Sequence, residues 1–324
     1  MRSSLAALVL GASLAAAGTP AFAQPAAWPT RPVRLVVPFA PGGFTDVTAR
    51  ILGQKLSQAF GQQFVIENRP GAGSTIGTDM VAKSAPDGYT LLMVSSTHVI
   101  SPWLYKNLPY DPLKSFTVVG KLVESPYVLL VHPKVQARNV QEFIALAKSA
   151  PEKIHYASSG NGSAQHLMGG LFVSMTGAPL KHVPYRGSSG AAQDLVAGVV
   201  ESSFAGVPNA LAQVPQGRLK ALAVTTARRA PQLPDVPTLE EAGVKGYDAS
   251  VWLALLAPAG TPRDLVHKLN AEVARLMAAP DTKKALFEAG VEPTPSTPEE
   301  MADFLQQELA RWGKVVKEAD IRLE

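Results

Sequence analysis

VRLVVPFAPGGFTDVTARIL, residues 33–52, decides how the rest of the chain is read. The valine- and leucine-rich run from Val33 to Phe39 predicts a buried strand, and the Pro41-Gly42-Gly43 turn ends it. From Thr45 the apolar residues recur at helical spacing as far as Phe60. A strand that passes through glycines into a helix brings unpaired backbone N–H groups and the positive end of a helix dipole to one place. That place suits a small anion. Working outward, FVIEN (64–68) leads to a helix over 76–85, and YTLLMVS (89–95) is a third strand. This alternation predicts an α/β fold with mixed, largely parallel sheets.

The pattern restarts at VVGKLVESPYVLLVHP (118–133), where two strand-like runs meet around Glu124 to Pro126; we read the meeting point as a crossing between two lobes. Beyond it Asn139, with Glu142 three residues on, caps a helix. KIHYASS (153–159) and KHVPY (181–185) are strands, separated by a helix over 163–176. A helix over 188–198, the run ESSFAG (201–206) and the return strand RLKALAVTT (218–226) follow. Thr261-Pro262 with Asp264 predicts one helix start, and Thr297-Pro298-Glu299-Glu300 is a capping box with proline at the first helical position. These last helices are expected to pack back on the first lobe. The expected division is 24–123 plus 221–324 for lobe one and 124–220 for lobe two.

Ahead of this core, MRSSLAALVLGASLAAAGTPAFAQ opens with a basic Arg2, an apolar stretch and Ala21-Phe22-Ala23. It reads as a secretory signal over 1–23, cleaved before Gln24 and delivering the chain to the periplasm. The apolar stretch is short of the roughly 20 residues that span a bilayer, so no membrane insertion is expected. The sequence has no cysteine, hence no disulfide and no lipid-attachment thiol, and its 46% hydrophobic composition must stabilise the fold by core burial. The net charge of +4 is spread along the chain; it biases the protein toward anions without the clustered basic and aromatic residues of a nucleic-acid surface.

Four turns share the grammar of the first: APGGFTD (40–46), RPGAGSTIG (69–77), SSGNGSAQH (158–166) and YRGSSGA (185–191). Each joins an extended run to a helix, and in an open α/β sheet such loops lie at the carboxyl ends of the strands, where ligands bind. Any one of them alone reads as glycine permitting a tight turn; four together predict a cleft lined by donors. No GxxxxGK[ST] occurs, and Gly71 to Gly77 is spaced GxGxxxG, one residue off the dinucleotide fingerprint, so a small carboxylate is favoured over a nucleotide. Arg186 is the cation placed to meet an anion, although surface arginine is the commoner case. Phe39, Phe44 and Tyr185 are candidate pocket walls, against the alternative that they are core.

Catalysis finds little to start from. Neither GxSxG nor HExxH is present, and the histidines at 98, 132, 155, 166, 182 and 267 lack metal-ligand spacing. No metal and no cofactor are expected. Asp46 and His166 are the one conceivable acid–base pair, but Asp46 fits better as a hydrogen-bond acceptor for its own turn, and His166 as a packing or donor group. An exported enzyme acting on small organic acids, a sensor partner in signalling and a ligandless interaction protein stay open as alternatives to a binding protein.

The segments WPTRPVRLVVPFAPGGFTDVTARILGQKL, FVIENRPGAGSTIGTDMVAKSAPDGYTLLM, YASSGNGSAQHLMGGLF, VPYRGSSGAAQDLVAG, LKALAVTTARRAPQLPDVPTLEEAG and LLAPAGTP together resemble the Bug family, the extracytoplasmic solute-binding proteins of tripartite tricarboxylate transporters. The resemblance covers essentially all of the chain after the signal. It implies a two-lobe periplasmic binding protein of type II that is monomeric, closes on a small di- or tricarboxylate or aromatic acid, and hands it to membrane permease subunits. It also implies that the ligand is held by backbone amides, hydroxyls and waters. The family's binding motifs match at Phe39, Gly42, Gly43, Asp46, Ala72 and Gly73 in the first lobe, and at Ser158, Gly162, Ser163 and His166 in the second. Two positions depart from the family: Ser74 stands where a further glycine is frequent, and Ala205-Gly206 follows Phe204 where an aspartate is common. The second departure disfavours ligands carrying an amino group.

Overall fold

The computed structural model describes residues 28–151, 153–185 and 187–318. The expected signal over 1–23, its cleavage before Gln24, and Arg186 lie outside the described residues. The first third of the fold runs β1 (Val33–Val37), α1 (Phe44–Phe60), β2 (Phe64–Asn68), α2 (Thr75–Ala82), β3 (Thr90–Ser95), α3 (Thr97–Leu104) and β4 (Phe116–Val131). The middle runs α4 (Val140–Ser149), β5 (His155–Ser158), α5 (Ala164–Thr176), β6 (Lys181–Pro184), α6 (Ser188–Ala197), β7 (Ser202–Gly206), α7 (Val207–Gln213) and β8 (Lys220–Val224). The chain returns through β9 (Ser250–Pro258), α8 (Arg263–Ala278), α9 (Pro280–Glu288), β10 (Glu292–Pro293) and α10 (Pro298–Glu318).

The strands follow the path β2-β1-β3-β9-β4-β7-β5-β6, with β10 and β8 also on β4. Parallel pairs form the two ends, β1 with β2 and β3, and β5 with β6 and β7. Antiparallel pairs made by β4 and β9 form the middle. The result is a two-lobe α/β fold of mixed sheets. The two strand-like runs expected to meet near Glu124 are one continuous strand of 16 residues. Up to Pro126 β4 ladders with β9; from Tyr127 to Val131 it ladders with β7, and from Val128 to Val131 also with β8. Proline lacks an N–H to donate, and Pro126 sits where β4 passes from one set of partners to the other. The expected lobe boundary after residue 220 falls inside β8.

β9 has no counterpart in the sequence reading. Its SVWLALLAP is buried at every position but the first, so it lacks the period-two alternation of a one-faced strand. Buried on both faces, such a run cannot be assigned by periodicity alone. α8 starts where Thr261-Pro262 with Asp264 places it: Pro262 occupies the N-cap position, Asp264 lies in the first turn, and the Thr261 hydroxyl donates to the Pro258 carbonyl at 2.7 Å. The Thr297 box does form, with Glu300 N–H donating to Thr297 Oγ1 at 3.1 Å and Thr297 N–H to a Glu300 carboxylate oxygen at 2.8 Å.

Alternation along β1 sets the layers. Val33, Leu35 and Val37 face a core shared with Leu52 of α1 and Leu269 of α8, whereas Val36 faces a core that reaches Leu305 and Trp312 of α10. A third core joins Leu130 of β4 and Ala157 of β5 to Leu195 of α6 and Ala210 of α7. Each fully buried leucine or valine is worth roughly 1.5–3 kcal/mol, so these cores fix the strand ends from which the glycine loops spring.

Candidate functional site

A cavity of about 470 Å³ opens where the loops after the parallel strands converge. Its wall takes in the N-terminal residues of five helices: Gly43 to Thr45 at α1, Ser74 at α2, Thr97 at α3, Ser163 to Gln165 at α5, and Gly187 with Ser188 at α6. The first turn of each helix leaves backbone N–H groups without intrahelical partners, and the five dipoles place partial positive charge around one space. Apolar surface from Phe39, Phe44, Leu104, Tyr105 and Val251 covers the rest. Among the described residues lining the cavity, none is Asp, Glu, Lys, Arg or His.

The first-lobe loops are shaped from behind. Asp46 is 2% exposed and does not line the cavity. One of its carboxylate oxygens accepts from Gly42 N–H and from Arg50 Nε, each at 2.9 Å, and the other accepts from Asn68 Nδ2 at 2.9 Å. Burial opposes its ionisation, but the hydrogen bonds from Arg50, Gly42 and Asn68 outweigh it and hold the carboxyl below its ordinary range. Asn68 also donates to the Phe39 carbonyl at 3.1 Å, so strand end and turn are tied together.

In the second loop Gly71, Ala72, Gly73 and Ser74 all have positive φ, and Ala72 and Ser74 are the non-glycine residues in that state among those described. A side chain at positive φ costs about 1–2 kcal/mol, and such strain gathers at functional positions. Gly73 meets a second constraint: a Cβ there would lie 2.2 Å from the Tyr105 hydroxyl, so the loop or that side chain would have to shift.

The second-lobe loops are held by neutral groups. His166 and His182 stack with ring centroids 3.7 Å apart. Gly162 N–H donates to His166 Nδ1 at 3.1 Å, which puts the proton of that ring on Nε2, and His182 Nε2 lies 2.6 Å from Ser158 Oγ. Burial lowers the His166 pKa to about 4; burial together with the neighbouring His166 lowers that of His182 to about 3. Ser163 caps α5 by accepting from His166 N–H at 3.3 Å, and Gln165 Oε1 accepts from Ser159 N–H at 2.7 Å.

The structure thus brings Phe39, Gly43, Gly73, Ser74, Gly162 and Ser163 to one cavity, with Phe44 beside them. Gly42, Asp46, Ala72, Ser158, His166 and Tyr185 stand outside its wall. Tyr185 instead donates its hydroxyl to Asp194 at 2.6 Å. Asp46 and His166 belong to loops after different sheets, each engaged with its own glycine turn. Ala205 does not face the cavity either; it packs in the third core.

Sequence reasoning missed Ser95, Thr97 and Ser101, whose hydroxyls turn the β3–α3 junction. The Ser95-Ser96-Thr97 run after a strand was the available signal; the junction lacks glycine and so escaped the grammar used. Tyr105, Tyr127 and Val251 had no local signal, since the fold carries them in from the end of α3, the interior of β4 and the start of β9.

Comparison with known proteins follows the same line. The family model described as "Tripartite tricarboxylate transporter family receptor" matches residues 48–321. BugT of Bordetella pertussis is 37% identical over 318 residues, 98% of this chain and 98% of that protein. Among solved structures, R. palustris Rpa4515 with adipate superposes with a TM-score of 0.83 at 39% identity, covering 91% of this chain and 100% of the other. MatC (Rpa3494) from Rhodopseudomonas palustris with bound malate gives a TM-score of 0.79 at 35% identity, covering 89% of this chain and 100% of the other.

Proposed function

This chain belongs to the tripartite tricarboxylate transporter family of receptors, and we propose that it captures a small carboxylate with an apolar middle by closing two lobes over it. The convergence of five helix N-termini on a cavity without charged side chains among its described residues carries this reading. A carboxylate is satisfied there by backbone amides and by hydroxyls such as those of Ser74, Ser95 and Ser163. An ammonium group finds no carboxylate partner among those residues, so amino acids are disfavoured. Phe39, Phe44 and Tyr105 suit a methylene chain or a ring between or beside the acid groups. The ligands named for the two similar structures, adipate and malate, are both small dicarboxylates, and adipate has four methylenes between its acid groups.

The lobe division that goes with this function follows the ladders. We place the crossings at Ser125–Pro126 and Ala249–Ser250, so that β8 and the segment to Ala249 move with lobe two; Ala249 N–H donates to the Thr225 carbonyl at 2.8 Å, and Thr225 N–H to Tyr127 at 2.9 Å. Donors from both lobes converge only when the lobes close, so ligand shifts an open–closed equilibrium. The binding residues are then Phe39, Gly43, Gly73, Ser74, Gly162, Ser163 and the Gly187-Ser188 turn, with Asp46, Ser158 and His166 holding the loops. Export by the 1–23 signal with cleavage before Gln24 places a monomer in the periplasm, where it delivers its ligand to membrane permease subunits. Among the described residues no helix is long and apolar enough to cross a membrane.

Thermal unfolding of residues 24–324 against mono-, di- and tricarboxylates, aromatic acids and amino acids tests the reading. A ligand at 100 times its Kd adds about 2.7 kcal/mol, roughly a few degrees for a chain of this size. Adipate-like acids are expected to respond and amino acids to leave the transition unmoved. A response to amino acids alone, or a flat panel from protein shown by native mass spectrometry to be ligand-free, refutes it.

A further inference from the structure

Lobe two contains a second cavity, of about 330 Å³, between the face of β4 and β7 and the helices α6 and α7. Small side chains create it: Ala192 on α6 with Ser203 and Ala205 on β7 leave unfilled the space that Leu130, Leu195 and Leu219 enclose. The volume lies in the range of small-molecule sites and far above that of one water. Among the described residues that line it none is charged, so an ion there would find no charged partner among them. Its polar groups are neutral, and one is unsatisfied: the Gln213 side-chain carbonyl oxygen is buried and has no hydrogen-bond partner among the described residues. A buried acceptor in an apolar space is a standing penalty that a ligand's O–H or N–H removes.

We propose that this cavity is a second binding site, for a neutral, ring-sized apolar molecule bearing one hydrogen-bond donor, such as a phenol or a small alcohol. The molecule's apolar body fills the space between the leucines, and its donor meets Gln213 Oε1. The site is separate from the cleft in most of its wall, yet Gln165 and Ser188 line both cavities, and Gln165 holds the Ser159 amide of the cleft loop. Occupancy therefore reaches the second-lobe loop through Gln165. The site does not depend on which acid the cleft takes, so it stands or falls apart from the proposed function.

Phenol and toluene are near-isosteric probes that differ in the donor. In the full mature chain, titration with phenol is expected to shift the methyl resonances of Ala192, Leu195 and Ala205 saturably. Ala192→Phe, which fills the space, weakens both probes at least tenfold. Gln213→Leu keeps the volume and removes the acceptor; it is expected to weaken phenol by about three- to tenfold while sparing toluene. Gln213→Leu lies on the half-exposed end of α7 and keeps the test decisive if Ala192→Phe does not fold. Absent or unsaturable shifts, shifts confined to the cleft, or equal effects of Gln213→Leu on the two probes overturn the proposal.

Discussion

Behind the loop between β1 and α1 a buried carboxylate, Asp46, gathers the Gly42 amide, the Asn68 amide and the Arg50 guanidinium; behind the loop between β5 and α5 the equivalent work falls to two neutral stacked imidazoles. Both loops turn backbone amides and hydroxyls toward the same cavity, and both keep their anchors out of its wall. The difference teaches that the chemistry offered to a ligand and the chemistry that holds the offering group are separable. An uncharged wall is compatible with an ionic anchor behind it, because Arg50 neutralises Asp46 where no ligand reaches. It is equally compatible with histidines that burial keeps unprotonated.

The sharpest way to break the comparison is pH. His166 and His182 titrate near 4 and near 3 in the fold, against about 6.5 in an unfolded chain. Their folded values are depressed, so the unfolded state binds more protons below pH 6.5 and stability falls as pH drops from there toward 4. Asp46 is also depressed, from 3.8; its contribution persists until the pH falls below that value. Between pH 6.5 and 4, then, the two imidazoles stay neutral in the fold at a growing cost in stability, while the contribution of Asp46 is still intact. Urea unfolding is expected to lose about 4 kcal/mol between pH 7 and 4.5, and a His166→Gln, His182→Gln double variant to flatten much of that slope. An equal slope in the variant would mean that other groups carry the acid sensitivity.

Next in size is the first-lobe anchor itself. Asp46→Ala removes the acceptor of the Gly42 amide, one of the two acceptors of the Asn68 side-chain amide, and the carboxylate paired with Arg50. We expect a loss of about 3 kcal/mol, measured from urea midpoints at pH 7, less than a fully buried pair would give because the Arg50 side chain is half exposed. A loss under about 1 kcal/mol would show that the turn holds its shape without the carboxylate.

The strained second loop gives a smaller effect on affinity. Gly73→Ala sets a Cβ against the Tyr105 hydroxyl at positive φ, which moves either the loop or the tyrosine that lines the cavity. Calorimetry with an acid that stabilises the wild type is expected to show about tenfold weaker binding, the equivalent of about 1.4 kcal/mol. Unchanged affinity would remove this loop from the ligand's surroundings.

How much of this was legible in the sequence depended on whether the signal was local. A glycine turn between a strand and a helix announces itself, which is why all four loops were found and why Asp46 was read as a possible acceptor for its own turn. β9 was not found, because burial on both faces erases the alternation that marks a strand. The passage of β4 from one ladder to the other was seen as a meeting of two runs, since its Ser125-Pro126 reads as a break even though the chain continues through it as strand. The side on which Ala205 lies was not legible for a related reason: next to buried Phe204 it faces the opposite side of β7, and the side can be told only once the layers are known. The His166–His182 stack joins a helix start to a strand 16 residues on, a contact that spacing alone does not disclose.

The finest contrast lies in how two of the helices begin. α5 starts on Ser163, whose hydroxyl claims one first-turn amide, whereas α1 starts on Gly43, which has no side chain to claim any. Gly43 has φ −83° and ψ 172°, ordinary for an N-cap serine, and a Cβ there would meet nothing nearer than the Ala40 carbonyl at 3.8 Å. Gly43→Ser therefore fits, and its hydroxyl would accept from an amide of the first turn, raising stability by a few tenths of a kcal/mol. If the free amides of α1 are what the carboxylate uses, the same substitution satisfies them internally and weakens ligand binding about three- to tenfold. Stability and affinity should thus move in opposite directions at this one residue. Were both to rise, the ligand would be resting on the second lobe's amides and the first lobe would be contributing its apolar wall alone.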